Sequence, residues 1–175
     1  MILTGQEIRR QYESGRIKIS HFDETGLTTN SHDLRLGTRI LRYTCDVLDP
    51  RQDNSHEIIE IPPDGYPMRR NDFVLGETLE MVGSDHYVPL IHARSSTARL
   101  GLFVHVTADL IDIGSYGRST LQLYATLPVR LYPYMRIAQV TFWQPRGEIE
   151  LYDGKYAGSL GPMPSLAHRD FQADR

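Results

Sequence analysis

Cysteine is nearly absent from this sequence. Cys45 is the one cysteine among 175 residues, which excludes an intramolecular disulfide. The zinc-dependent nucleobase deaminases hold their metal with a His or Cys and a Cys-x-x-Cys pair, and one cysteine does not supply that set. The seven histidines show no HExxH spacing either. We therefore predict no zinc and no metal site built by side chains alone.

Long apolar runs and an excess of basic residues are absent as well. No segment approaches the roughly 18 apolar residues that a membrane span needs, and the N-terminus carries charges where a signal peptide has its apolar core. The formal net charge is −3, so no broad basic field faces a nucleic-acid backbone. These absences predict one cytoplasmic domain over residues 1–175 that binds neither membranes nor nucleic acids.

A short helix at the N-terminus is the one clear helical signal. Thr4 can cap it, Glu7 follows three residues later as in a capping box, and Ile8 and Tyr12 share a face. Gly15 is then expected to end the helix.

Short strands account for most of the remaining pattern. They are rich in Val, Ile, Leu, Thr and aromatic residues, and Gly, Pro, Asp or Asn separates them. Because no helical crossovers lie between them, we predict a mainly β fold of the sandwich or barrel type. Residues 95–100 are the exception and predict a helical turn. The predicted strands cover residues 32–36, 39–43, 58–61, 73–81, 103–106, 119–125 and 137–143.

Residues 94–101, RSSTARLG, place Arg94 and Arg99 around two serine hydroxyls. Guanidinium groups, hydroxyls and the backbone N–H groups of a helix start are together suited to a polyphosphate. A capped surface turn explains the same residues equally well, so the segment alone leaves both interpretations open.

Residues 105–117 predict a hairpin, because apolar residues flank a glycine-rich bend. Asp112 lies within this segment. It is either a partly buried acid with a shifted pKa or an ordinary turn residue, and the residues alone favour the turn.

The C-terminal part, from residue 152 onward, predicts a loop-like tail. Five glycines and prolines lie between positions 154 and 164. A frayed end is the default for such a segment, but Tyr152, Lys155 and Tyr156 favour an arm that reaches a binding partner.

Together these segments resemble the dCTP deaminase/dUTPase superfamily. The run RSSTARLGLFVHVTADLID, residues 94–112, is similar to the family pattern RSSxARLGLxVHVTAxxID. Further matches lie at residues 31–37 (SHDLRLG), 135–139 (MRIAQ), 154–156 (GKY) and 161–165 (GPMPS), the last resembling bifunctional deaminase–diphosphatases. The resemblance covers nearly the whole chain and is closer to the deaminase branch than to the plain dUTPases.

This resemblance implies a distorted β-barrel or jelly-roll-like fold of the dUTPase type. It also implies a homotrimer with active sites between subunits, Mg²⁺ bound through the triphosphate, and residues 152–175 as a tail that closes over the nucleotide. The implied ligand is a pyrimidine deoxynucleoside triphosphate: dCTP, or else dUTP or dTTP. The implied catalytic residues are Ser95, Arg99, Asp112 and Gln122. The implied substrate-binding residues are Arg94, Ser96, Thr97, Ala98, Asp112, Thr120, Leu121, Tyr152, Lys155 and Ser159.

Gln122 is the departure that matters most. The family's deaminases have a glutamate ten residues beyond the position of Asp112, where it acts as general base and acid at C4 of cytosine. An amide does not accept a proton at neutral pH, and loss of a general base typically costs about 10²–10⁴-fold in rate. Ser159 replaces a glutamine that binds phosphates in the family, and Ser115 replaces a bulky aromatic residue.

Three functions therefore stay in competition. The first is deamination of dCTP, which overall resemblance favours and Gln122 weakens. The second is a diphosphatase that converts dUTP or a related nucleotide to the monophosphate, using Asp112 and needing no glutamate at position 122. The third is a nucleotide-binding regulator that keeps the segment from Arg94 to Arg99 and lacks catalysis.

Overall fold

A computed structural model describes residues 1–173 of the protein, as three short α-helices, two 3-10 turns and ten strands. The helices are α1 (Gly5–Glu13), α2 (Ser95–Ala98) and α3 (Asp170–Ala173), and the 3-10 turns cover Glu24–Gly26 and Ala167–Arg169. The strands are β1 (Ile17–Ile19), β2 (His32–Tyr43), β3 (His56–Glu60), β4 (Tyr66–Met68), β5 (Phe73–Ser84), β6 (Val88–Ala93), β7 (Leu102–Phe103), β8 (Tyr116–Ala125), β9 (Val129–Leu131) and β10 (Arg136–Trp143).

Helix α1 begins and ends as the sequence predicts. The Thr4 side chain accepts a hydrogen bond from the N–H of Glu7 at 3.4 Å. Gly15 follows the helix with φ of 76°, a left-handed conformation that glycine adopts without a steric penalty. Ile8 is fully buried and anchors the helix in the core.

Eight strands form one antiparallel sheet that curls into a barrel-like shape. Its hydrogen-bonded order is β6-β10-β2-β5-β8-β7, with β1 also paired to β5 and β3 to β2, and β4 and β9 form a separate two-stranded ribbon. The long strands β2 and β5, 12 residues each, exchange partners along their length and so join the halves of the sheet. The predicted mainly β fold with a short N-terminal helix is confirmed.

The core is mainly apolar, and its buried polar groups include two carboxylates on β5. Glu77 and Glu80 are 0% and 1% exposed; Glu77 is the last paired residue before the register shift between β5 and β8, and Glu80 lies within the shifted stretch. Each accepts hydrogen bonds from a guanidinium group, Glu77 from Arg39 and Glu80 from Arg35. A buried charge needs such a partner, so this irregular part of β5 is fixed by ion pairs.

Several predicted strand boundaries are wrong. Segments 32–36 and 39–43 are one strand, β2, with a register shift in its middle. Of the strand predicted over 103–106, only Phe103 lies in a strand, the two-residue β7. Four short strands, β1, β4, β6 and β9, are not predicted, because such strands are specified by their partners more than by their own residues.

The hairpin predicted over residues 105–117 is also wrong. Leu110 forms an isolated antiparallel bridge with Leu90, and the N–H of Ile91 donates to the carbonyl of Asp109 at 2.9 Å. The segment therefore pairs with β6 rather than with itself. The glycine-rich bend at its end is real, since Gly114 has φ of 91°. Within residues 1–173, no helix is both long and apolar enough to cross a membrane.

Candidate active site

A cavity of about 570 Å³ lies between one face of β8, the loop of residues 108–112 and the C-terminal tail. A cavity of this volume matches a small-molecule ligand. Five residues that the sequence analysis assigns to the site line it: Asp112, Thr120, Gln122, Tyr152 and Ser159. The cavity is therefore where most of the predicted base-, sugar- and tail-contacting residues meet.

Strand β8 supplies one wall of the cavity through the alternation of its side chains. Arg118, Thr120 and Gln122 line the cavity, while Leu121 and Leu123 are 1% and 0% exposed in the core. Any contact of Leu121 with a ligand is therefore restricted to its backbone. Thr120 and Gln122 lie where the sequence analysis expects ligand-facing residues.

The side chain of Gln122 is held by the loop that follows β7. Its Oε1 accepts hydrogen bonds from the N–H groups of Val106 at 3.1 Å and Thr107 at 3.5 Å. The Gln122 N–H itself donates to the carbonyl of Val104 at 3.0 Å. Because Oε1 is engaged, the amide offers the cavity its Nε2 group, which only donates hydrogen bonds. Gln122 can orient a ligand or a water, but it cannot take up a proton.

Asp112 lies in the turn that leads into β8. It is exposed, and its carbonyl accepts the N–H of Ser115 at 3.1 Å. The N–H of Gly114 donates to the carbonyl of Ser84 at 2.8 Å, which ties this turn to the end of β5. Asp112 is thus a turn residue, as its sequence favours, and at the same time a carboxylate at the cavity.

The C-terminal tail crosses β8 and closes the cavity from the same chain. The carbonyl of Ser159 accepts the N–H of Arg118 at 2.8 Å, and the N–H of Met163 donates to Thr120 Oγ1 at 3.1 Å. Gly117 allows the close approach, because a Cβ there would lie 2.7 Å from the Ser159 carbonyl oxygen. The tail therefore packs on the strand that carries the candidate site, and only residues 174–175 of the predicted tail lie outside the described residues.

Two predicted tail residues have different surroundings. Tyr152 lines the cavity, and its N–H donates to the carbonyl of Ile113 at 2.8 Å, next to the Asp112 turn. Lys155 does not line the cavity, since its Nζ donates to Asp170 Oδ1 at 2.6 Å. A contact between Lys155 and a nucleotide therefore requires that ion pair to open.

Residues 94–99, at the start of and along α2, are the predicted phosphate-binding segment, called the cradle below. They form a cluster separate from the cavity. Ser95, Ser96, Ala98 and Arg99 are exposed, and Thr97 is 3% exposed. In the part of the chain that the structure describes, none of residues 94–99 lines the cavity. One chain therefore brings the cavity residues together but does not join them to the cradle.

Arg94 at the start of α2 is tied into the barrel. Its Nε lies 3.1 Å from Oδ2 of Asp33, a carboxylate that is 6% exposed. Arg136 approaches the same oxygen at 3.7 Å. Arg136 also pairs with Asp23 at 3.0 Å, and the Asp33 pair gives Arg94 a structural role that its position in the motif did not reveal.

Two histidines lie beside the loop that holds Gln122. The rings of His92 and His105 have centroids 6.4 Å apart, and His92 Nε2 lies 3.1 Å from Thr141 Oγ1. Burial lowers the pKa of His92, while nearby Asp109 opposes and His105 adds to that shift. His92 is accordingly neutral at pH 7 and supplies no positive charge to the site.

Several residues that line the cavity are not predicted from the sequence. Tyr43, Phe73 and Tyr156 come from distant parts of the chain, so only the fold brings them there. Arg118 could have been predicted from the alternation of side chains along a strand, because it lies two positions before Thr120 on the same face of β8.

Comparison with known proteins identifies close relatives over the whole length. Residues 2–145 match a family model described as dCTP deaminase-like. A Clostridium beijerinckii protein named "dCTP deaminase, dUMP-forming" is 41% identical over 173 residues, 98% of this chain and 99% of that protein. A protein of the same name from Hathewaya histolytica is 39% identical over 98% of this chain and 100% of its own length.

A solved structure shares the fold. The 2'-deoxycytidine 5'-triphosphate deaminase from Agrobacterium tumefaciens superposes with a TM-score of 0.63 at 21% identity. The match covers 81% of this chain and 47% of that one, so this protein spans about half its length. At this identity the likeness bears on the fold alone, and it confirms the predicted fold class.

Proposed function

The chain belongs to the dCTP deaminase-like family, and we propose that it is an enzyme that converts dCTP to dUMP. The observation that carries the proposal is the cavity in which Thr120, Gln122 and Asp112 meet. The dUMP-forming name of relatives that match 98% of the chain supports the product.

The proposed conversion consumes two water molecules. The first attacks C4 of cytosine and displaces ammonia, which gives dUTP. The second attacks the α-phosphorus and breaks its bond to the β-phosphate oxygen, which releases dUMP and pyrophosphate. The two alternatives that the sequence leaves open, deamination and diphosphohydrolysis, are then two steps at one site.

Gln122 makes the first step the slow one. Its Nε2 can hold the ligand or the attacking water, while its Oε1 is engaged by two backbone N–H groups. Neither atom takes a proton at neutral pH, so deamination proceeds without a side-chain base at this position. We therefore expect added dUTP to be hydrolysed faster than dCTP, because dUTP needs only the second step.

Asp112 is the residue proposed for the second step. It is exposed at the cavity in the turn next to Tyr152, so its carboxylate can orient or deprotonate a water near the phosphates. Asp109 is a second carboxylate on the cavity wall. This step requires no glutamate at position 122.

Mg²⁺ is proposed to enter with the triphosphate. A Mg²⁺ ion bound this way keeps several waters and uses one or two protein carboxylates, which Asp109 and Asp112 can supply. Among residues 1–173, no group of three or more His, Cys, Asp or Glu side chains is arranged to hold a metal ion. When bound, Mg²⁺ offsets the negative charge on the phosphate oxygens.

The cradle on α2 is proposed to serve the cavity of a neighbouring copy in a homotrimer. Ser95, Ser96 and Arg99 are exposed and lie apart from their own chain's cavity. A triphosphate carries more negative charge than the cavity's own residues can balance. A cyclic assembly repeats the same contact at every interface, so each cavity would receive one cradle.

The test is a product analysis with dCTP and, separately, dUTP in the presence of Mg²⁺. We expect dUMP and pyrophosphate from both and ammonia from dCTP only, whereas Asp112→Asn should still release ammonia from dCTP but give neither dUMP nor pyrophosphate. dUMP from dUTP alone would favour a diphosphatase without deamination, the function that Gln122 favours next. Binding without any product would favour the regulator, and it would refute the enzyme.

A further inference from the structure

Arg118 is a cation on the cavity wall that neither proposed step uses. Among the described residues that line the cavity, Arg118 is the one lysine or arginine, while Asp109 and Asp112 are both acidic. Its side chain is 26% exposed, so the guanidinium is sheltered but open to a ligand. A nucleoside triphosphate in this cavity therefore meets one fixed positive charge from its own chain.

Glu77 holds Arg118 without neutralising it. Both carboxylate oxygens of Glu77 accept hydrogen bonds from Arg39, each at 3.0 Å, whereas Arg118 Nη1 lies at 3.3 Å. The hydrogen bonds to Glu77 raise the pKa of Arg39, as expected for a closely paired guanidinium. Glu77 makes its closer contacts with Arg39, on which Glu60 also acts, so Arg118 is the less closely paired cation and the member of this cluster that lines the cavity.

Strand geometry separates Arg118 from Gln122. The two residues share a face of β8 four positions apart, which corresponds to about 13 Å along a strand. At the Gln122 end the wall carries a neutral amide and the aromatic ring of Phe73. At the Arg118 end it carries the guanidinium, with the Ser159 backbone next to it. An uncharged base fits the first end and anionic groups fit the second.

Ser159 does not compete for the anionic group. Its hydroxyl donates to the carbonyl of Gly161 at 3.0 Å, so the oxygen presents only lone pairs to a ligand. Phosphate oxygens accept hydrogen bonds and do not donate them, so the Ser159 oxygen is an unfavourable neighbour. The guanidinium of Arg118, whose backbone N–H donates to the Ser159 carbonyl at 2.8 Å, is the suitable donor there.

We propose that Arg118 binds a phosphate group of the nucleotide and that buried Glu77 positions it. The assignment rests on the proposed function, because it assumes a nucleoside triphosphate in the cavity. It adds to the predicted cradle a phosphate contact that comes from the chain that forms the cavity.

Calorimetric titration of Arg118→Gln and Arg118→Lys tests this assignment. The probes are α,β-imido-dUTP, dUMP, deoxyuridine and pyrophosphate, each with Mg²⁺. We expect Arg118→Gln to weaken binding of the triphosphate analogue about 10- to 100-fold, as for loss of a charge-assisted hydrogen bond. The affinity for deoxyuridine should stay unchanged. Arg118→Lys should recover part of the loss. Arg42→Gln, which breaks an exposed pair with Glu57, is the matched control and should change no affinity.

The fold should survive the substitution, because Glu77 keeps both hydrogen bonds from Arg39. If the affinities for deoxyuridine and for the triphosphate analogue fall equally, the phosphate contact is overturned and Arg118 is assigned to the base or sugar. Unchanged affinity for every probe would overturn it as well. If the unaltered chain binds no probe, the proposed function fails, and the assignment of Arg118 fails with it.

Discussion

Gln122→Glu should convert a slow deaminase into a fast one. The substitution changes one terminal group and keeps the length of the side chain. One carboxylate oxygen can retain the hydrogen bonds from Val106 and Thr107, now at 3.1 and 3.5 Å to Oε1. The other oxygen replaces Nε2 and adds a proton acceptor at the cavity, so the geometry is kept while the chemistry changes.

The expected gain follows from what a positioned general base contributes. A base of this kind is worth about 10²–10⁴-fold in rate, which corresponds to about 3–5 kcal/mol of the activation barrier. The gain should be confined to the step at C4, because the proposed phosphate step uses Asp112, which lies in a separate turn. Hydrolysis of dUTP is then an internal control that should change by less than about threefold, which is under 1 kcal/mol.

The assay is the rate of ammonia release from dCTP under single-turnover conditions, with the protein in saturating excess over dCTP, measured across pH. Gln122→Glu should add an acidic limb to the pH–rate profile, because the new carboxylate must be ionised to act as a base. Gln144→Glu, at an exposed position outside the cavity, is the matched control and should leave the rate unchanged. A Gln122→Glu protein that binds dCTP and hydrolyses dUTP, yet releases ammonia no faster than the original, would refute the assignment.

Three further predictions follow from the fold. Phe142→Ala should lower the free energy of unfolding by about 3–5 kcal/mol in a urea titration, because the ring is fully buried; a loss below 1 kcal/mol would contradict this packing. Gly117→Ala should lift the tail from β8 and raise KM for dUTP about 5- to 100-fold, the equivalent of one or two hydrogen bonds; an unchanged KM would show that the tail does not shape the site. Burial lowers the pKa of His32 from its ordinary value of 6.5, so the unfolded chain binds a proton that the folded chain resists. The free energy of unfolding should therefore fall as the pH drops below about 6.5. In urea titrations it should fall less steeply for His32→Gln than for the unaltered protein; an equal fall in both would contradict this role of His32.

The parts of the fold that could be predicted are those with local signals. The N-terminal helix has its cap at Thr4 and its stop at Gly15, both within the segment itself. Most of β8 could be predicted from alternating side chains, which also separates the cavity residues Thr120 and Gln122 from Leu121 in the core. Such local patterns can be interpreted without knowing which other elements of the fold they contact.

Other features depend on contacts between distant residues. Nothing local to Lys155 predicts its ion pair with Asp170, and nothing in the motif around Arg94 predicts its pair with Asp33. The two-residue strand β7 exists because Leu102 and Phe103 meet the end of β8. These elements are defined by their partners, which the sequence does not reveal.

The candidate site shows the same division. The resemblance groups Arg99 and Gln122 in one site, whereas one chain holds Gln122 at the cavity and Arg99 outside it. The sequence therefore groups these residues, but it does not reveal that one chain holds them apart.

The central claim is that a working site combines the cavity of one copy with the α2 cradle of another. Its most direct test is complementation between Arg99→Gln and Asp112→Asn, two exposed positions, each variant being inactive alone on dUTP. Random mixing in a trimer gives an intact pair at about one site in four, so co-expressed variants should show about a quarter of the original activity. Activity no greater than that of the separate variants would contradict a shared site.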